Sequence, residues 1–95
     1  MSQLEMTEAQ LQDAVIAFAQ LHGWRVHGER AAWTNKGYRT PIQGNPGFPD
    51  LVLVRRDQVL FAELKSKKGR LTDEQKLWSS YLHVDRAEYY LWRPA

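Results

Sequence analysis

The chain has 95 residues, of which 43% are hydrophobic and 25% are charged, and its formal net charge is +2 at neutral pH. This length allows one domain with a modest core, so we expect residues 1–95 to form a single domain. The absence of cysteine excludes a disulfide framework and a thiolate metal site. Because no apolar run approaches the roughly 20 residues that cross a bilayer and no signal-peptide pattern opens the chain, we expect a cytoplasmic protein.

The first predicted element is a helix from about Glu8 to His22. Thr7 and Gln10 have the spacing of a capping box. In this motif the hydroxyl of the first residue accepts from the backbone amide three residues later, and the side chain of that later residue accepts from the backbone amide of the first. Gly23 is placed to end the helix. Apolar residues recur between these signals at the spacing of one buried helical face: Leu11, Ala14, Val15, Phe18 and Ala19.

A short strand and a long connection follow the helix. The alternation of apolar and polar residues from Trp24 to His27 predicts the strand. From Gly28 to Gly47 the pattern dissolves among four glycines and two prolines, which predicts a long loop, a feature that is often functional. Lys36, Arg39 and Trp33 in this loop would suit contacts to phosphates and stacking on bases. The alternative is that Trp33 only packs the loop onto the body of the protein.

The second half of the chain predicts a hairpin, a helix and a last strand. Leu51–Val54 is an uninterrupted apolar run, typical of a strand buried on both faces, and a short turn joins it to Val59–Leu64. Thr72 and Gln75 have the capping-box spacing at the start of the second helix, and residues 87–92 form the last strand. This order predicts an α/β fold with a mixed sheet of about four strands flanked by two helices.

The register of the hairpin brings two carboxylates together. A turn centred between residues 56 and 57 makes Val54 face Val59. Counting outward from that pair, Asp50 lies opposite Glu63, with Cβ atoms about 5 Å apart. The two acids are therefore expected to meet across the ladder.

A lysine shares the face of this pair. Lys65 points the same way as Glu63 because side chains alternate along a strand. Val59 and Phe61 also point that way, so we expect the charged group to emerge at the edge of a buried face.

Opposed and desolvated carboxylates repel each other unless one of them takes up a proton. A divalent cation between Asp50 and Glu63 would remove that repulsion, and oxygen ligands suit Mg²⁺ or Mn²⁺. The amine of Lys65 could then position an attacking water or neutralise charge on a phosphate. Such a site could hydrolyse a phosphodiester.

The helices add further candidates. On a helical wheel Glu8 falls near the buried stripe, and its place in the first turn also suits the helix dipole, which would be a purely structural role. Gln12 and Gln75 are polar residues beside apolar stripes and could orient water or phosphate. A structural role is the alternative for each of them.

Basic residues follow the second strand of the hairpin closely. We expect them to contact phosphate oxygens together with the amide groups at the start of the second helix, near Thr72. Lys36 and Arg39 belong to a looser upstream group that could do the same, and a solvated charged surface is the alternative explanation. The three residues just after the hairpin are Lys67, Lys68 and Arg70.

These residues carry a resemblance to known nucleases. The chain resembles the PD-(D/E)xK nuclease pattern at Gly47-Phe48-Pro49-Asp50 and, thirteen residues after that aspartate, at Glu63-Leu64-Lys65. It is similar to the VRR-NUC family of small virus-type and repair nucleases from about Thr7 to Pro94, notably in GFPDLVLVR, FAELKSKKGRLTDEQ and YYLWRP.

The resemblance implies a restriction-endonuclease-like core that cleaves DNA with Mg²⁺ or Mn²⁺. Asp50 and Glu63 match its metal-binding carboxylates, and Lys65 matches its catalytic lysine. Glu8 matches the acid on the first helix by position, where it would complete the metal site, and Gln12 competes for that role.

The resemblance also implies partners. Standalone members of the family look like homodimeric, structure-selective endonucleases similar to Holliday-junction resolvases. We therefore expect a bacterial or phage-encoded homodimer that acts on branched DNA. Residues 28–47 form a longer connection than the resemblance predicts, and we expect substrate preference to depend on them.

Two other functions remain open at the level of sequence. A non-catalytic nucleic-acid-binding module on a nuclease scaffold would use the same basic segment and aromatic loop, although pure binding has no need for opposed carboxylates. A small interaction domain would use aromatic residues as a protein interface, where packing in the core is the competing explanation. The aromatic residues concerned are Trp78, Tyr81, Tyr89 and Trp92.

Overall fold

The computed structural model describes residues 5–29, 42–85 and 87–95, together with the backbone of 32–34 and 37–39. In the described part of the chain, no helix is long and apolar enough to cross a bilayer. The elements are α1 (Glu8–Leu21), β1 (Arg25–Gly28), β2 (Ala32–Thr34), β3 (Gly37–Arg39), β4 (Leu51–Arg55), β5 (Gln58–Leu64), α2 (Asp73–Leu82) and β6 (Glu88–Trp92).

Four of the strands form one mixed sheet in the order β1-β4-β5-β6. The first two pairings are antiparallel and the last, between β5 and β6, is parallel. Parallel neighbours need a crossover connection, and α2 lies in the connection between these two strands. The predicted α/β architecture, a four-stranded mixed sheet with two helices in a restriction-endonuclease-like core, is confirmed.

The hairpin of β4 and β5 has the predicted register, with Val54 paired to Val59 and Leu51 to Ala62. Its turn places Arg56 at φ +57°, the left-handed conformation that tight two-residue hairpin turns use. Because the register continues outward by one residue, Asp50 lies across from Glu63 at the open end of the hairpin.

The core lies on one face of the sheet, beneath α1. Leucines and alanines of α1, β4 and β5 fill it: Leu11, Ala19, Leu51, Leu53, Leu60, Ala62 and Leu64. The prediction that β4 is buried on both faces is wrong, since Val54 is 36% exposed. The prediction of a buried face around Val59 is also wrong, since Val59 is 44% exposed. The physical reason is coverage: α1 packs along one face, whereas α2 contacts mainly β6 on the other.

A second, two-stranded sheet lies within the segment predicted to be a loop. In this antiparallel pair Ala32 faces Arg39 and Thr34 faces Gly37. The prediction of an irregular connection throughout residues 28–47 is therefore wrong. Strands of three residues are too short for a period-two pattern to stand out in the sequence.

The loop that leads into β4 is docked on α2. Gly47 has φ +93°, and a Cβ atom placed on it would lie 2.6 Å from the backbone carbon of Glu74. The indole Nε1 of Trp78 donates a hydrogen bond of 2.9 Å to the carbonyl oxygen of Pro46. The first turns of α2 thus hold the segment that delivers Asp50 to the sheet.

Substituting the two glycines of this loop that have positive φ should separate the cost of backbone strain from the cost of steric crowding against α2. Gly44 has φ +87° with open space around its Cβ position, whereas Gly47 is both left-handed and crowded. We expect Gly44→Ala to lower the free energy of unfolding by about 1 kcal/mol. Gly47→Ala should lower it by about 2–4 kcal/mol, because overpacking adds to the strain.

Urea denaturation of both variants beside the unsubstituted protein measures these differences. Equal losses for Gly44→Ala and Gly47→Ala would contradict the close approach of the loop to α2.

Candidate active site

Asp50 is fixed at the open end of the hairpin by a backbone hydrogen bond. The amide of Leu64 donates to its Oδ2 at 2.8 Å, so the carboxylate takes the place of a backbone acceptor one step beyond the ladder. Asp50 itself is half-buried, and the preceding Pro49 is buried. The side chain is therefore anchored at the position that the register places across from Glu63.

Glu63 is the most deeply buried charged residue of the described part, with 1% exposure. Its Oε2 is buried and has no hydrogen-bond partner among the described residues. The pKa of Glu63 is raised to about 8, chiefly by burial and next by the neighbouring charge of Asp50. Such an orphaned carboxylate oxygen is costly unless something positive approaches it.

The pKa of Asp50 is raised as well. Burial is the main cause, opposed by the hydrogen bond from the Leu64 amide, while the charge of Glu8 adds to the increase. The two acids thus share one polar pocket that is short of positive charge.

Lys65 supplies part of the missing positive charge. It is 8% exposed, and its charge lowers the pKa of both acids. Its backbone amide donates to the carbonyl oxygen of Trp92 at 3.1 Å, which extends the β5–β6 pairing beyond Leu64. The lysine is therefore held by the edge strand as well as by its own.

Glu8 reaches the same site from α1. The capping box of Thr7 and Gln10 is formed on both sides and places Glu8 in the first turn. A Cβ atom on Gly69 would lie 3.4 Å from Glu8 Oε1 and 3.4 Å from the Cδ of Lys65. The charge of Glu8 also raises the pKa of both buried acids. The structure thus brings together all four residues predicted to be catalytic.

The donor set fits a hard divalent cation held partly by water. No group of three or more His, Cys, Asp or Glu side chains within the described ranges converges tightly enough to hold a metal by itself. Mg²⁺ usually keeps several waters and is held by only one or two carboxylates. The unpartnered Oε2 of Glu63, on a side chain that also interacts with the Asp50 carboxylate, matches that requirement.

The basic segment forms a loop held by an arginine that sequence reasoning missed. Arg93 Nη1 donates to the carbonyl oxygens of Ser66 and Gly69 at 2.7 Å each and to that of Lys67 at 3.4 Å. The signal for this role in the sequence is that Arg93 directly follows β6. Because β6 pairs in parallel with β5, residue 93 lies beside the residues that follow β5. The side chains predicted to contact phosphate are exposed on this loop: Lys67, Lys68 and Arg70.

The remaining predicted residues have structural partners or lie elsewhere. Gln12 Nε2 donates to the carbonyl oxygen of Glu29 at 3.2 Å, which ties α1 to the end of β1. Thr72 Oγ1 accepts from the Gln75 amide, and Gln75 Oε1 accepts from the Thr72 amide, so both complete the capping box of α2. Lys36 lies outside the described residues, and of Arg39 only the backbone, in β3, is described.

Two carboxylates opposed across a hairpin, with a lysine on the next pleat of an α/β core, define the active-site class of the restriction-endonuclease-like nucleases. The VRR-NUC domain model matches residues 26–93. The chain belongs to the VRR-NUC family, which is a family of nucleases. No curated protein and no solved structure gives a significant match.

The stability of the metal-free protein should fall as pH rises. Folded Glu63 keeps its proton up to about pH 8, whereas the unfolded residue releases it near the ordinary glutamate pKa of 4.5. Between these values the folded state binds more protons, so raising the pH favours unfolding. We expect a loss of about 1–3 kcal/mol across this window, to which the raised pKa of Asp50 adds in the same direction.

Urea denaturation in EDTA at several pH values measures this slope. Glu63→Gln should flatten it and should be more stable than the unsubstituted protein at pH 8. Glu74→Gln, an exposed change on α2, serves as the control that keeps the slope. An unchanged slope in Glu63→Gln would show that this carboxyl is not the buried acid described above.

Proposed function

We propose that the protein is a Mg²⁺- or Mn²⁺-dependent endodeoxyribonuclease that hydrolyses phosphodiester bonds in branched or otherwise structured DNA. The observation that carries this proposal is the buried pair of Asp50 and Glu63, with one carboxylate oxygen left without a partner. Membership of a nuclease family supports the class of reaction.

Asp50 and Glu63 would hold the cation directly, and Glu8 of α1 would complete the site as a third carboxylate that acts through bound water. When bound, such a cation supplies Lewis-acid chemistry at a phosphate and a nucleophile at neutral pH. The hydrogen bond from Leu64 to Asp50 fixes one ligand before any ion arrives. Burial of Glu63 keeps bulk water from the second ligand and strengthens its attraction to a cation.

Lys65 would act on the reacting groups. Its side chain lies on the face of Glu63, is largely withdrawn from solvent and is held by the Trp92 carbonyl oxygen through its backbone. From there the ammonium group can orient the attacking water or neutralise charge that develops on the phosphate.

The loop after Lys65 would bind the DNA backbone. Lys67, Lys68 and Arg70 are exposed next to the buried acids, and Arg93 holds the loop backbone in place. Contacts of this kind position a phosphate without reading the base sequence. They suit an enzyme that selects the shape of DNA rather than its sequence.

A homodimer is part of the proposal, because a branched junction offers two equivalent strands. Large apolar side chains on α1 are exposed, among them Phe18 at 65% and Leu21 at 81%. Phe18 borders a cavity of about 640 Å³ between α1 and the sheet, which a second copy could cover. Light scattering of the purified protein would decide the oligomeric state.

Substitution of the site should abolish cleavage without abolishing DNA binding. We expect Asp50→Asn, Glu63→Gln and Lys65→Ala each to lower the cleavage rate by at least about 100-fold, because each removes a charge that acts on the transition state. Labelled single strands, duplexes, flaps and four-way junctions incubated with Mg²⁺, Mn²⁺ or EDTA provide the measurement. Lys76→Ala, an exposed change on α2, is the control.

Full cutting by Asp50→Asn and Lys65→Ala would remove the proposed site. Binding of DNA without cleavage by the unsubstituted protein under any metal condition would favour a non-catalytic nucleic-acid-binding module instead.

The basic loop should determine the salt dependence of binding. Lys67→Ala and Lys68→Ala should each weaken binding to all DNA sequences alike and reduce the slope of log affinity against log salt by about 1. Titration of a labelled junction at several salt concentrations in EDTA measures both effects. A slope unchanged in the double variant, beside the Lys76→Ala control, would contradict a phosphate contact at this loop.

A further inference from the structure

A cleft beside the catalytic pair has no part in the chemistry proposed above. It has a volume of about 290 Å³ and lies over β1 and β4, between the loop that leads into β4 and the start of α2. We name it the Phe48 cleft after the residue whose ring borders it. Its walls include Phe48, Asp50, Val52, Gln75, His27 and Glu29.

The size of the Phe48 cleft limits what can enter it. Sites for small ligands usually span about 300–1,000 Å³, so this cleft lies at the lower limit and suits a single planar group rather than a duplex. Because Asp50 forms part of its wall, an occupant lies next to the catalytic pair.

Phe48 offers an aromatic surface in the cleft. The residue is 46% exposed. Its ring meets those of Phe61 and Trp78 edge-to-face, at interplanar angles of 89° and 87°, so neither neighbour stacks in parallel on it. An exposed ring that has no parallel neighbour among the described side chains offers a platform on which nucleic-acid bases stack.

The charges of the cleft disfavour a phosphate. Glu29 and Asp50 line it with carboxylates, and His27, whose Nε2 lies 3.8 Å from Glu29 Oε1, is the basic group among the described residues of the wall. Lys67 and Lys68 lie on the loop that follows β5, on the side of the site nearer to β6, whereas the cleft lies over β1 and β4. Phosphates are therefore attracted to the basic loop, and an uncharged group to the cleft.

The polar groups that remain are suited to the edge of a base. Gln75 uses its Oε1 to accept from the Thr72 amide, which leaves its side-chain N–H groups as donors towards the cleft. Asn45 adds an amide, and the Glu29 carboxylate can accept from an exocyclic amino group. Few polar groups around an aromatic wall are typical of a pocket that orients one flat ligand.

We propose that the Phe48 cleft takes up one unpaired nucleobase of the DNA strand, next to the phosphate that is cut, with its ring stacked on Phe48. This inference rests on the proposed nuclease function and narrows its substrate class: the preferred DNA has an unpaired base beside the cut. A base in a continuous duplex cannot enter without leaving its stack.

Fluorescence tests the cleft without requiring cleavage. 2-Aminopurine is placed at each position in turn of a short single strand, and its emission is measured with protein in EDTA. We expect quenching at one position with the unsubstituted protein, loss of that quenching in Phe48→Ala, and its retention in Tyr81→Ala, a change at an exposed aromatic residue of α2 outside the cleft. Quenching that persists in Phe48→Ala overturns the proposal, as does the absence of quenching at every position.

Cleavage provides the second readout. An abasic sugar in place of the base beside the cut should lower kcat/KM of the unsubstituted protein by about ten- to a hundredfold, since it removes the stacking partner. In Phe48→Ala the abasic substrate and the intact one should be cut equally. Equal cutting of both substrates by the unsubstituted protein overturns the proposal, whereas a failure to cut any DNA removes the nuclease function and leaves the fluorescence result standing.

Discussion

The active site depends on a single arrangement of charges: Asp50, held by the Leu64 amide, faces a glutamate from which water has been withdrawn. Burial favours the protonated form of both acids, and the charge of Asp50 raises the pKa of Glu63 in addition. The register of the hairpin places Asp50 opposite Glu63. The core stabilises this register, because a shift of one residue would turn Leu51 and Leu53 away from the core. A preorganised anionic pair of this kind is unfavourable for folding and favourable for binding a cation.

Close backbone approaches bring the other parts of the site to this pair. Gly47 lets the loop before β4 lie against the first turn of α2, and the basic loop lies against Glu8 and Lys65 at Gly69. A side chain at Gly47 would push the loop away from α2, whereas a Cβ atom on Gly69 would lie at ordinary contact distance, 3.4 Å, from Glu8 and Lys65. Gly47 therefore assembles the site without carrying chemistry itself, while the capping boxes at Thr7 and Thr72 fix where each helix begins.

Local signals in the sequence were enough to predict the elements that contribute the acids. Hydrophobic runs gave the hairpin, its short turn gave the register, and the spacing of Thr7 from Gln10 gave the start of α1. What could not be predicted depends on tertiary contacts. The strands β2 and β3 are too short to show a pattern, and the greater exposure of the Val59 face follows from where α2 packs. Arg93 is the clearest case, because only the parallel pairing of β6 reveals which backbone it holds.

Arg93 connects the edge strand β6 to the basic loop of the active site. The backbone around Lys65 is held by β6, the outermost strand of the four-stranded sheet. The carbonyl oxygen of Trp92 accepts a hydrogen bond from the Lys65 amide, and Arg93 donates to three carbonyl oxygens of the segment that follows Lys65. A displacement of this border strand is therefore transmitted to Lys65 and the basic loop, and also to Glu63, which pairs with Leu91 of β6. Border strands are where other polypeptides add to a sheet. A chain that docks there would act on Lys65, the basic loop and Glu63 through β6, whereas Asp50 precedes β4, a strand that does not pair with β6.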